Sequence, residues 1–150
     1  MHSTAVLLAL ITAAANGVAA LVGAWAWQRF ATSRAFWIAL RSGQAAAIAQ
    51  AVFAGGAAAA GSKPDDGLYW LYAALPVAVG FLAEQLRSLA AQAELDRRGF
   101  PDAQAVGALP ESEQQRLVRT ILHRELGVMT IAAAVVCFLA LRAAATAGGL

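Results

Sequence analysis

A chain of 150 residues that is 60% hydrophobic and only 13% charged, with a mean hydropathy of +0.61, departs from soluble domains, in which about a quarter of residues are charged. That composition excludes an ordinary water-soluble domain and points to a membrane protein. The net charge of +2 comes without any clustered basic stripe, so nucleic acid is not an expected partner.

The first apolar run extends roughly from Thr4 to Trp27, beyond the about 20 residues needed to cross a bilayer. Its start, "MHSTAVLLAL", lacks a positive n-region, and the run is too long for a signal-peptide core. It reads as a mature transmembrane helix. Ala13 with Gly17 and Ala19 with Gly23 have the small-xxx-small spacing that lets helices approach closely. A tight connection, "QRFATSR", then leads to a second run from about Ala35 to Ala60, and such a short link predicts an antiparallel hairpin.

The turn "GSKPDDG" precedes the third run, Leu68 to Leu86, and Asp65 or Asp66 can cap its N-terminus. Pro76 should kink this helix by removing one backbone hydrogen bond. From Phe81 the pattern "FLAEQLRSLAAQAELDRRGF" keeps helical spacing while turning polar, so the helix should run past the membrane to Gly99. "FPDAQAVGAL" is a break with room for one helical turn after Pro101. A further helix begins near Pro110 or Ser112, where Ser112 and Gln115 have capping-box spacing. It places Leu117, Val118, Ile121 and Leu122 on one face and leads into a fourth run, Leu126 to Leu141.

The fold class that follows is all-α: one membrane domain, a four-transmembrane-helix bundle with helices 3 and 4 extended into a helical hairpin over residues 87–125. Eight arginines fall between the first and second runs or between the third and fourth, whereas Lys63 and Arg142 mark the other side. The positive-inside rule then puts loops 28–34 and 87–125 in the cytoplasm and both termini outside it, in a multi-pass protein of the cell membrane. Trp25, Trp27, Phe30, Phe36 and Trp37 at one interface, and Tyr69, Trp70 and Tyr72 at the other, agree with these limits.

Polar residues inside the spans are the candidate functional residues. Counting about 1.5 Å per residue from the outer ends puts Asn16 at ~18 Å and Gln50 at ~16 Å, a match that predicts a hydrogen bond between them. Arg41 falls at ~30 Å and Gln44 and Glu84 at ~25 Å, with Gln85 beside them. Arg41 and Glu84 are the opposite charges at comparable depth, so an ion pair is expected. On the second helix Arg41 and Gln50 lie ~180° apart. Polar groups on opposite sides mean that this helix is enclosed by protein or faces another subunit or a watery cavity.

No Gly-rich phosphate loop, HExxH or GxSxG signature appears, so no catalytic residue is assigned. His2 and His123 fall on opposite sides of the membrane, which argues against haem or zinc from one chain, and no metal or other cofactor is expected. Cys137, the single cysteine, offers no redox pair. The leading expectation is a homo-oligomer with a channel or transporter-like role through Asn16, Arg41, Gln44, Gln50, Glu84 and Gln85. The alternatives are an accessory subunit of a larger membrane complex, or a lipid or quinone binder with a headgroup site near Arg41 and Glu84.

Overall fold

The computed structural model describes residues 2–31, 33–62, 66–100 and 103–148. The chain is helical: α1 His2–Gln28, α2 Arg34–Ala59, α3 Leu68–Arg97, the single turn α4 Ala103–Val106, and α5 Glu111–Gly148. Two of these, α1 and α5, are long and apolar enough to cross a membrane. The helix expected to start near residue 110 and the fourth apolar run are one continuous helix, α5. The four long helices form a ring in the order α1, α2, α3, α5, with α2 against α3 the sparsest of the four seams.

Burial follows a strict rule. The buried positions of α1 are Ala5, Ala9, Thr12, Asn16, Ala19, Gly23 and Ala26, with Ala13 beside them; those of α2 are Phe36, Leu40, Gly43, Ala47, Gln50 and Ala54. On α5, Leu126, Met129, Ala133, Val136, Ala140, Ala143 and Ala147 repeat the same alternation of three- and four-residue steps. That is the seven-residue repeat of helices that wrap with a left-handed twist and pack side chains between one another.

The α1 side of the seam is made of small residues, against which Phe36, Leu40, Leu126 and Met129 pack from α2 and α5. Outward-facing positions carry large ones too: Leu7, Leu21, Ile38, Val52, Leu71, Phe81, Leu82, Ile131 and Phe138 are all exposed. Large apolar side chains thus lie on the outside of the bundle as well as in its core, and polarity does not separate the two faces of the helices. Gly23 shows how close: a Cβ there would meet Thr130 Oγ1 and the ring of Phe36.

Three helices end alike. After α2, Gly61 (φ 78°) donates to Ala58 O and Ser62 to Ala57 O; after α3, Gly99 (φ 76°) donates to Asp96 O and Phe100 to Leu95 O. These are Schellman endings, which need a left-handed residue and favour glycine. After α1 the same bonds form, Phe30 to Trp27 O and Ala31 to Ala26 O, but the left-handed residue is Phe30 at φ 52°.

The N-termini match the expectations in part. Asp66 Oδ1 accepts from Leu68 N at 2.8 Å, while Asp65 lies outside the described residues. α3 continues through the buried Pro76. The expected Ser112–Gln115 box does not form, because Ser112 lies inside the first turn; instead Gln114 Nε2 donates to Leu109 O at 2.8 Å and Gln115 Nε2 to Glu111 Oε1 at 3.4 Å. Leu117 is buried, whereas Val118 and Leu122 are exposed, so the expected single apolar face is divided.

Candidate functional site

Where α2, α3 and α5 meet, charged side chains form a connected network. Arg41 Nη1 lies 2.8 Å from Glu84 Oε1 and 2.7 Å from Gln44 Oε1. Gln44 Nε2 also donates to Glu84 Oε1 at 3.1 Å. Arg87 Nε approaches the other carboxylate oxygen of Glu84 at 3.1 Å, and its Nη1 reaches Glu125 on α5 at 3.8 Å. The Arg87 guanidinium also stands 5.5 Å above the Trp37 ring.

Arg41 and Gln44 are three residues apart, so they share a face of α2 and grip one carboxylate together. Two arginines and two glutamates balance in charge. The ion pair expected between Arg41 and Glu84 is therefore present, and it extends to Gln44 and Arg87. It is not enclosed: 55% of the Arg41 side chain and 26% of that of Glu84 remain exposed.

Beside this network a groove of about 260 Å³ runs between α2 and α3, lined by Ala47, Ile48, Pro76, Val77, Gly80 and Phe81, with Gln44 and Glu84 at its polar end. Small residues on both walls, Ala47 and Gly80, leave the space unfilled, and Pro76 has no backbone donor to offer along it. The arrangement can hold an elongated apolar body with a polar end, or meet a neighbouring protein surface.

The remaining expected residues separate from it. Asn16 is buried and donates to Thr12 O on its own helix at 2.9 Å. It packs against Gly43 rather than Gln50. The predicted Asn16–Gln50 hydrogen bond does not form, because seven residues, about 10 Å of helix rise, separate Gly43 from Gln50 on α2. Gln50 is fully buried, with neither amide atom partnered. Gln85 is exposed and outside the network. Thus α2 is not enclosed all round: Gln50 is buried in the core, Gln44 and Ile48 line the groove with Arg41 bonded at its polar end, and Ile38 and Val52 face outward.

Two features went unforeseen. On the α3 extension Glu94 is fully covered by three arginines: Arg97 at 2.7 Å, Arg98 at 3.0 Å and Arg124 of α5 at 3.1 Å. Hydrogen bonding from Arg97 first, then Arg98, with the added attraction of Arg97 and Arg124, holds its carboxyl below the usual glutamate value against the opposing effect of burial. The "ELDRR" spacing contained the first two partners; Arg124 follows only from the fold. The second is a cavity at the α1–α2 turn, where His123 stacks on Phe30 at 4.1 Å.

His2 lies at the other end of the bundle, with Nδ1 3.0 Å from Ala147 O, so the two histidines do not converge on a common ligand. The chain matches no known protein family, no curated relative and no solved structure.

Proposed function

We propose that this chain is a four-span integral membrane protein that works as an assembly of copies in a channel- or transporter-like role. In this reading the α1–α2 turn and the paired ends of α3 and α5 lie in the cytoplasm, and both termini lie outside it. The large apolar side chains exposed on the outward faces of all four long helices, with small residues on the buried face of α1, support lipid around the bundle.

The observation that carries the role is the outward placement of the Arg41–Gln44–Glu84–Arg87 network beside the α2–α3 groove. Half-exposed charge on a span is stabilised by a protein neighbour or by water. Inside one chain, the cavity lined by Asn16, Gln44 and Met129 measures about 10 Å³, at most the size of one water. A path for a polar solute is therefore assigned to the groove faces of adjacent copies, not to the centre of the bundle.

The test is the mass of the purified protein in detergent and in nanodiscs, followed by flux into liposomes. A defined multimer and a flux altered by Glu84→Gln support the reading; a stable monomer without flux overturns it. Topology is checked in a Cys137→Ala background. Ser62→Cys should label from outside and Ser112→Cys from the cytoplasmic side; labelling of both from one side would sink the four-span arrangement.

A further inference from the structure

The cavity at the α1–α2 turn has a volume of about 230 Å³ and is lined by Phe30, Ser33, Trp37, Arg119, His123 and Leu126, among others. Three observations single it out. The first is charge. Among the described residues Arg119 is exposed and has no carboxylate or hydrogen-bonding partner; Arg29, Arg34, Arg116 and Arg142 also lack a carboxylate, but of these arginines only Arg119 lines the cavity.

The second is hydrogen-bonding capacity left unused. His123 Nδ1 is buried without a partner. Ser33 Oγ accepts from Phe36 N at 3.2 Å, which leaves its own proton free to donate. Ser33 also caps α2, whose N-terminal end adds positive potential on the same side.

The third is backbone strain. A left-handed phenylalanine is less stable than glycine by about 1–2 kcal/mol, and such strain persists where the surroundings over-determine it. In this conformation the Phe30 ring stacks on His123, and both line the cavity.

We infer that this cavity binds the phosphate group of an anionic amphiphile, with Arg119 as the principal ligand, His123 and Ser33 as further donors, and Trp37, Leu122 and Leu126 against the apolar portion. An arginine fork matches phosphate oxygens better than any other side chain. The site is separate from the groove and independent of the transport role. Only the source of the phosphate, a membrane lipid rather than a soluble phosphate ester, rests on the membrane reading.

The experiment is native mass spectrometry of protein released from nanodiscs containing phosphatidylglycerol and phosphatidylcholine, with calorimetric titration of inorganic phosphate and glycerol 3-phosphate in parallel. The wild type should retain phosphatidylglycerol selectively. Arg119→Gln should weaken retention about tenfold or more, the scale of one charge-assisted hydrogen bond. Arg116→Gln removes the same charge one turn away and should leave retention intact. Ala31 also lines the cavity, so Ala31→Leu, which fills it without changing charge, should reduce retention as Arg119→Gln does. Binding of the soluble phosphates with the same dependence on Arg119 and Ala31 also supports the site and assigns it a soluble ligand. Equal loss in Arg116→Gln and Arg119→Gln, no effect of Ala31→Leu, or retention of neither probe overturns it.

Discussion

Asn16 occupies the space that a side chain on Gly43 would need: a Cβ there would fall 2.7 Å from Asn16 Cγ and Nδ2. The Asn16 amide is itself anchored to Thr12 O, so it cannot swing aside freely. Gly43→Ala should therefore destabilise the bundle by about 1–3 kcal/mol, the usual range for overpacking. Equilibrium unfolding in mixed micelles measures it, and an unchanged midpoint would contradict the close approach of α1 and α2.

Arg41 and Glu84 should be energetically coupled. Because both are partly exposed, a double-mutant cycle of Arg41→Gln and Glu84→Gln is expected to give a coupling of about 0.5–1 kcal/mol. Strict additivity would mean that the pair is geometric only.

Glu94 makes the α3–α5 contact outside the apolar segments sensitive to acid. Its pKa in the folded protein lies below the ordinary value of 4.5. A lowered folded pKa adds stability that is fully present above the unfolded value and is lost as pH falls through the folded one. Protection factors for hydrogen exchange at Leu95 and Leu117, each taken against the intrinsic rate at the same pH, should be high at pH 6 and fall below about pH 4.5. Glu94→Gln should remove most of that pH dependence, and an identical acid response in the variant would refute the role given to this carboxylate.

Gln50 is buried with both amide atoms unpartnered. An unsatisfied buried polar group costs about 1–3 kcal/mol, so Gln50→Leu should raise the unfolding midpoint. It should also leave liposome flux unchanged, since Gln50 faces the core and not the groove. A drop in stability would show that the amide is satisfied by bound water.

Phe30 can be tested through its backbone. Phe30→Gly and Phe30→Ala both remove the stack on His123, but only glycine relieves the left-handed strain. The glycine variant should be the more stable of the two by about 1 kcal/mol, read from their thermal midpoints.

Much of this architecture was legible in the sequence, for identifiable reasons. Apolar runs and Gly99 marked helix bodies and an end, and the scarcity of charge in the apolar runs left Arg41 few partners besides Glu84. The faces of the helices were harder to read, because in an apolar chain the buried and outward-facing positions are both hydrophobic. The seam on α1 differs from its back by size, Ala9 against Leu10, and only a search for small residues at seven-residue spacing finds it. Depth counting failed for Asn16 and Gln50 because the register of α1 on α2 is set by contacts such as Gly43 on Asn16. The cavity at His123 was invisible because it brings residues 30 and 123 together and depends on a phenylalanine adopting a conformation normally left to glycine.

The continuity of α5 has a mechanical consequence. Thirty-eight residues make a rod about 57 Å long, against a hydrocarbon layer of about 30 Å. The same rod that Glu94 grips through Arg124 lines the bundle as far as Ala147, with no hinge between them. The charged clamp and the buried seam of the bundle therefore belong to one unbroken element, so the rotational setting of α5 at Arg124 and at Ala147 is one and the same.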